Sequence, residues 1–476
     1  MIHEENEKIK KETKELEKKL KFRGKLSWDL LEEREREEVF RFAEGYKNFL
    51  DRAKAEREAV QEIVKAAKEA GFQEATQRSG GKKVFLVNKD KSVALAILGQ
   101  APLVEGVRII VSHIDSPRID LKQNPLYEEA DLALLHTHYY GGIKKYQWVT
   151  IPLSLHGFVV KSDGSTLNIQ MGENPDDPVF VINDLLPHLS GKTQDQKKLA
   201  EAIEGEKLTV LAGSLPFPDL EAKERIKLRV MELLHQKYGL VEEDFTSAEL
   251  ELVPAMKARD VGFDRSLVGS YGQDDRASAY TSFQAILSLE DPPRTSIAFF
   301  VDKEEIGSEG STGAKSLFLE SVIRTLIGRC SLTVSEALLK EILANSKALS
   351  ADVQAALDPN YPEVHEKQNA GKVGYGVCLE KFTGARGKVA SSDARAEYVG
   401  EIRRIFNAHN VAWQMTEIGK VDEGGGGTVA KYLAIYGMDI IDCGVPMLSM
   451  HSPFEITSKA DIFEAYKAYR AFFSSP

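Results

Sequence analysis

From Val268 onward the chain alternates amphipathic stretches with short apolar runs, and this alternation constrains the fold more than any other feature. Residues 276–289, 313–327, 396–408, 428–436 and 459–473 carry the apolar spacing of helices, while 296–301, 348–351, 373–379 and 440–443 read as strands. Such a pattern predicts the α/β class: a mixed sheet flanked by helices on both faces. Sheets of this kind bind ligands at the carboxyl ends of their strands, so chemistry is expected where the apolar runs stop.

At 476 residues the chain exceeds one ordinary core, and about 150 residues per domain predicts two or three units. Residues 1 to about 70 look helical, with Lys, Glu and Arg interleaved with apolar positions, until Gly80-Gly81 breaks the pattern. Short β-like runs follow at 83–87, 93–98 and 107–111. Between about 121 and 260 the character changes. Strand-like runs at 149–155, 157–160 and 178–182 and helix-like runs at 194–204 and 223–235 carry few candidate ligands. This stretch reads as an inserted β-rich second domain, leaving 1–120 and 261–476 as two parts of one catalytic domain.

Several function classes are disfavoured. No apolar run reaches the roughly 18–20 residues of a membrane span, and the charged N-terminus has no secretory core. The three cysteines, Cys330, Cys378 and Cys443, form neither a disulfide framework nor a CxxC knuckle, so a reducing cytoplasm is the expected location. A net charge of −11 with no basic stripe argues against nucleic acid.

Five apolar runs end in histidine or carboxylate. Arg108-Ile-Ile-Val-Ser-His113-Ile-Asp115-Ser-Pro117 emerges as His-x-Asp, in which His113 could bind a metal while Asp115 fixes its ring. A histidine capping a strand end is the plainer alternative. Asp274-Asp275 opens a helix and is also readable as an N-cap. Ser296-Ile-Ala-Phe-Phe-Val-Asp302-Lys-Glu304-Glu305 is sharper. Adjacent glutamates leaving a strand point apart, so one can bind metal while the other handles the proton of a water. Asp352 and His451 end the remaining runs. The other eight histidines lie on helices, loops or turns; His136 and His138 form an HxH pair that is either a strand-face metal site or ordinary polar surface.

Two imidazoles and three carboxylates suit two adjacent Zn²⁺-like ions with one carboxylate bridging. Two such ions can acidify a shared water and polarise a carbonyl together. Rival chemistries lack their signatures. The Gly424–Gly427 run has no Gly-Lys-Ser/Thr ending, and there is no GxSxG elbow.

From about Ser112 to Glu455 the order of these motifs resembles the aspartyl aminopeptidases and their relatives, cytosolic dinuclear zinc exopeptidases. The carriers are Ser112-His113-Ile-Asp115-Ser-Pro, Asp274-Asp275-Arg276, Asp302-Lys-Glu304-Glu305-Ile-Gly307-Ser308, Ser350-Ala-Asp352 with Pro359-Asn-Tyr361, and Met450-His451-Ser452. Tyr140-Gly-Gly142 is also similar, although the family's Asp-Arg after the following tryptophan is replaced by Val149-Thr behind Trp148.

The resemblance implies a metallo-aminopeptidase that hydrolyses the N-terminal residue of peptides, preferably Asp or Glu, through a hydroxide bridging two divalent ions. Zinc is the expected metal, with cobalt or manganese as substitutes. Asp274 would bridge, His113 and Asp352 would complete one site, and Glu305 and His451 the other. Glu304 would be the catalytic base and Asp115 would support it from behind the ligands. The resemblance further implies that the inserted domain pairs subunits inside a dodecamer and lends a histidine to a neighbour's site, for which His188 is the candidate. Lys381 is the candidate for binding an acidic side chain. A related dinuclear peptidase with neutral preference or a deacylase substrate, and a non-catalytic peptide-binding assembly, are the alternatives.

Overall fold

The computed structural model describes residues 2–22, 24–75, 81–384 and 386–476; Gly80 of the expected Gly80-Gly81 break lies outside them. Among the described residues nine strands form the main sheet. Their spatial order is Gln73–Glu74, Lys83–Asn88, Ser92–Ile97, Ser296–Val301, Arg108–His113, Lys347–Ser350, Asp439–Gly444, Val377–Glu380 and Trp413–Met415. The four from Ser296–Val301 to Asp439–Gly444 run parallel, with antiparallel neighbours on both sides. The expected mixed α/β sheet is therefore present.

Period-two alternation of apolar side chains explains why both faces are covered. Ile109, Val111 and Phe299 pack with Phe318, Val322 and Leu326 on one side, under helices Phe318–Arg329 and Glu336–Asn345. Ile110 and Phe300 pack with Phe283, Tyr469 and Phe472 on the other, under Gln273–Leu287 and Lys459–Ser474. Burying a side chain such as Phe299 or Phe300 stabilises the fold by roughly 1.5–3 kcal/mol each.

Residues 118–254 supply a second sheet of six strands, all antiparallel. Its order is Thr166–Met171, Leu153–Val160, Ala248–Pro254, Arg118–Glu129, Leu132–Tyr140 and Val210–Gly213. It has its own core, in which Trp148, Leu155, Ile169 and Leu252 meet Ile226 of helix Arg225–Tyr238. A third sheet pairs Leu267–Ser270 with Glu455–Ser458, setting Ser270 opposite Glu455. That pairing holds the start of helix Gln273–Leu287 beside the chain leaving His451.

Some local expectations change. The runs 149–155 and 157–160 are one strand, Leu153–Val160, and 178–182 contributes only isolated bridges from Phe180 and Val181. The long hairpin Arg118–Glu129 with Leu132–Tyr140 was not anticipated, because its register shifts between Leu121 and Leu126 and breaks the alternation. The helix expected from 313 begins at Phe318, since Gly313 is tied to Asp302 by a β-bridge. Helix Glu336–Asn345, also unanticipated, is capped by Ser335, whose hydroxyl accepts from Leu338 N–H at 3.2 Å.

A buried polar seam joins the second sheet to helix Glu56–Glu69. His156 Nδ1 lies 2.7 Å from Glu58 Oε1 and Nε2 lies 3.1 Å from Glu173 Oε1, while Lys54 Nζ donates to Glu173 at 2.7 Å. Burial disfavours the imidazolium, but Glu173 and Glu58 outweigh it and raise the His156 pKa. A raised histidine stabilises fully below its unfolded value near 6.5, and that contribution is lost as pH climbs through the folded value. His156→Ala is therefore expected to cost about 1.5–3 kcal/mol at pH 6 and progressively less at alkaline pH, read by urea unfolding. A penalty that grows with pH would contradict the charged state assigned to this seam.

Candidate metal centre

The parallel strands end in register: His113, last residue of its strand, pairs with Val301, and Ser350 lies opposite both Val111 and Asp442. This geometry delivers His113, the chain after Val301 and Asp352 to one end of the sheet. His113 is fully buried, with Nδ1 3.1 Å from the Asp115 carbonyl and 3.3 Å from Asp115 Oδ1. Nε2 then faces Asp274 Oδ1 at 3.2 Å and Asp352 Oδ1 at 3.7 Å. His451 enters from the opposite direction: Nε2 lies 3.1 Å from Asp274 Oδ2 and 3.5 Å from Glu305 Oε1, while Nδ1 donates to the Gly142 carbonyl at 2.9 Å. One carboxylate thus addresses both imidazoles.

The glutamate pair does not leave on a strand, and both carboxylates gather at His113. The strand stops at Val301, and Glu304–Ile306 is a single 3-10 turn entered through Lys303 at φ 68°. Its first two N–H groups donate to Asp115, Glu304 to Oδ1 at 3.1 Å and Glu305 to Oδ2 at 3.2 Å. Both glutamates have a carboxylate oxygen within 4.8 Å of a His113 nitrogen. Asp275 is gathered as well, with His113 and Asp352, and its Oδ1 accepts from Ser278 N–H at 3.2 Å.

Five carboxylates, Asp274, Asp275, Glu304, Glu305 and Asp352, therefore surround two imidazoles. Burial pushes the Glu305 and Asp275 carboxyls well above their ordinary range, and neighbouring carboxylates (Asp274 for Glu305, Asp352 for Asp275) push further. Glu304 is pushed up to about 8, by burial first and then by Asp352, Asp115 and Asp274 against the pull of His113. Burial works against charge on His451, yet Asp274 and Glu305 carry it up to about 10. All these shifts express one demand for positive charge. Divalent cations meet it, and imidazole nitrogen with carboxylate oxygen is the donor chemistry zinc accepts. The residues fit such a metal.

Every proposed ligand is brought together with Glu304 and Asp115, whereas His188 and Lys381 are not. His188 is exposed on the one-turn helix Pro187–Ser190 of the second sheet's domain. Lys381 is half-buried just past strand Val377–Glu380, and none of the contacts knitting the cluster involves it. Neither member of the HxH pair joins a metal-ligating group among the described residues; His136 stacks on Tyr127 with ring centroids 3.9 Å apart.

Two contacts behind the cluster were not legible in the sequence, those of Glu455 and of Tyr140. Glu455 is buried, and its Oε1 accepts from His451 N–H at 2.7 Å while Oε2 accepts from Asp274 N–H at 3.1 Å. Tyr140 donates its hydroxyl to Asp115 Oδ2 at 2.8 Å. A carboxylate four residues past His451 in the apolar Ser-Pro-Phe-Glu455 stretch was the available signal for the first.

An α/β sheet carrying such a donor set at its carboxyl edge defines a metal-dependent hydrolase. The comparisons narrow this: the aminopeptidase I zinc metalloprotease (M18) family model matches residues 49–473, and the chain belongs to that family. The resemblance seen in the motifs is borne out at this level. A probable M18 family aminopeptidase 1 of Clostridium acetobutylicum is 49% identical over 458 residues, 95% of this chain and 98% of the relative. The crystal structure of an M18 aminopeptidase from Thermotoga maritima superposes with a TM-score of 0.92 at 46% identity, covering 96% of this chain and all of that one. A structure of the S. cerevisiae mApe1 dodecamer, 21% identical with a TM-score of 0.73 over 90% of this chain and 96% of that one, shares the fold. The chain is a zinc metallo-aminopeptidase.

Glu455→Gln tests the clamp behind the cluster. Glutamine offers one acceptor oxygen, so either Asp274 N–H or His451 N–H is left facing an amide donor. Zinc affinity, measured by chelator competition, is expected to fall about 10- to 100-fold. Unchanged affinity would reduce Glu455 to a space-filler.

Proposed function

We propose that the chain is a dinuclear zinc aminopeptidase that removes the N-terminal residue of peptides and prefers aspartate or glutamate there. The two-ion reading is carried by Asp274, whose Oδ1 and Oδ2 lie 3.2 and 3.1 Å from the imidazoles of His113 and His451 respectively. In this reading Asp274 would be shared by both ions, His113 and Asp352 would complete one site, and Glu305 and His451 would complete the other. Cobalt or manganese would satisfy the same donors.

Zinc held by these residues would supply Lewis acidity and would make a nearby water easier to deprotonate. The protein's own groups do the rest. Asp115 holds Nδ1 of His113, which keeps Nε2 free as a donor atom toward the cluster. Glu304 lies beside the ligands without facing either imidazole as closely as Asp274 does, and its raised proton affinity suits a group that takes a proton from water and returns it to the departing amine. Bound cations would draw that affinity down toward neutrality.

The acidic preference rests on the family resemblance and on Lys381. The cavity of about 1070 Å³ that follows it in the chain sets Lys367, Arg386 and Lys388 among Glu363, Glu366 and Glu417, so the charge of that cavity adds nothing to the acidic preference. In the domain division proposed, 121–260 is the oligomerisation unit inserted between the catalytic segments 1–120 and 261–476. Around His188 this unit exposes Leu186, Leu189 and Leu199. Such apolar exposure suits a surface that another chain would cover. Dimers built this way, assembling into a dodecamer, would carry His188 to a neighbour's site, in line with the dodecamer named for the S. cerevisiae protein. No helix among the described residues is long and apolar enough to cross a membrane.

Glu304→Gln is expected to lower kcat about 10²- to 10⁴-fold with metal content unchanged by elemental analysis. Near-normal turnover with both ions bound would remove Glu304 from its role. Lys381→Ala is expected to cut kcat/KM for aspartyl and glutamyl anilides by roughly tenfold or more, the loss of one charge-assisted contact, while sparing leucyl anilide. Equal losses on all three would remove Lys381 from substrate recognition, faster wild-type cleavage of leucyl anilide would point to neutral preference, and faster cleavage of N-acyl amino acids would point to a deacylase. Dialysis against a chelator is expected to abolish hydrolysis, with Zn²⁺, Co²⁺ or Mn²⁺ restoring it; no bound metal and no restoration would favour a binding assembly.

A further inference from the structure

Three consecutive residues at the end of hairpin strand Leu132–Tyr140 reach from the second sheet into the metal centre. Tyr140 donates its hydroxyl to Asp115 Oδ2 at 2.8 Å, and Asp115 in turn sits 3.3 Å from Nδ1 of His113. Gly142 offers its carbonyl to Nδ1 of His451 at 2.9 Å. Between them Gly141, at φ +74°, lies so close to Glu305 that an added Cβ would come within 3.3 Å of that side chain's Cβ and Oε2. A Cβ on Gly142 would likewise stand 3.3 Å from His451 Nδ1. The two glycines therefore bring backbone where side chains would push the ligands away.

The segment is itself held stiffly. Tyr140 is the register partner of Arg118, whose guanidinium lies over the Tyr140 ring at 3.9 Å. Arg118 is buried and ion-paired with Glu56 at 3.3 Å, Asp120 at 2.7 Å and Glu251 at 3.2 Å. Glu56 belongs to helix Glu56–Glu69, while Asp120 and Glu251 belong to the second sheet. The ring is thus clamped from three elements before its hydroxyl meets Asp115.

We propose that Tyr140, Gly141 and Gly142 form a positioning strap, supplied by the inserted sheet, that sets the ring orientation of both metal-binding imidazoles. The inference rests on the ligand assignment proposed above. A ring nitrogen bound to a metal needs its opposite nitrogen held by an acceptor, which fixes both tautomer and orientation. Asp115 supplies that acceptor for His113 through its main-chain carbonyl at 3.1 Å and its carboxylate at 3.3 Å, and the Tyr140 hydroxyl keeps the carboxylate aimed. The Gly142 carbonyl supplies it for His451 directly. The strap acts on the two imidazoles through different atoms, so its two ends can be disturbed separately.

The test uses the full-length protein loaded with Co²⁺, whose visible spectrum reports the ligand field around each ion. Tyr140→Phe removes one hydroxyl and keeps the ring over Arg118; Gly142→Ala crowds His451 alone. Tyr140→Phe is expected to change the Co²⁺ spectrum, weaken metal binding about 10- to 100-fold and lower kcat more than KM rises. Gly142→Ala is expected to perturb the other ion's bands, while Tyr139→Phe, one residue outside the strap, changes neither spectrum nor affinity. His113→Ala, run in parallel, is expected to lose metal. If it does and Tyr140→Phe keeps wild-type spectrum and affinity, the strap is overturned and the ligand assignment stands. If His113→Ala keeps wild-type metal binding, the assignment falls and the strap falls with it. A Tyr140→Phe protein whose metal-free melting temperature drops while its Co²⁺ spectrum is unchanged would show a merely structural tyrosine and also overturn the proposal.

Discussion

Asp115 is a carboxylate with no exposure to solvent, and the metal centre is assembled on it. It collects the N–H groups of Glu304 and Glu305, the hydroxyl of Tyr140 and the Nδ1 side of His113. Burial alone would drive such a group to its neutral form. The His113 and Tyr140 contacts and the Arg118 charge outweigh burial and hold its pKa below the ordinary range. Three donors on one carboxylate, with the His113 ring beside it, pull together the end of one parallel strand, the turn after its neighbour and the end of strand Leu132–Tyr140. Remove that anion and these three elements lose the partner they share.

Charge balance governs the rest of the site. Burial first, and then repulsion among neighbouring carboxylates, raises the pKa values of Asp275, Glu305 and Asp352, while the two imidazoles facing Asp274 lower its own. The fold pays for this arrangement with apolar packing elsewhere: clusters on both faces of the main sheet bury the strands whose ends carry the site. Precision comes from groups that never face the cluster's centre. Glu455 fixes the backbone of Asp274 and His451, and the Tyr140–Gly142 segment fixes side chains. Rigid elements supply the positions, and buried hydrogen bonds supply the orientation.

Much of the site was legible because its chemistry is local. An apolar run that stops at a histidine or carboxylate can be seen in a single line of residues, and His113, Glu304-Glu305, Asp352 and His451 all have that form. Asp274 and Asp275 could not be separated by such reasoning: adjacent carboxylates at a helix start look alike until both oxygens of one are found facing two imidazoles. The second sheet lies in a stretch that stood out by its change of character, but the strand pairing that builds it was not legible, since a register shift at Leu121/Leu126 erases the period-two signal of its longest hairpin. His188 and Lys381 lie apart from the cluster within one chain, and sequence spacing carries no information about what a second chain brings.

The amino-acid sequence by itself determined the α/β class, the chemical types of the ligands and their order along the chain, because hydrophobic periodicity and donor chemistry are properties of neighbouring residues. Tertiary structure alone decided which carboxylate addresses both imidazoles, which buried acid clamps two backbones, and that the second sheet reaches into the metal centre. Those outcomes depend on contacts between residues separated by as much as 309 positions, as for His451 and Gly142. The directions in which hydrogen-bonding groups point across such separations are set only when the sheets have packed.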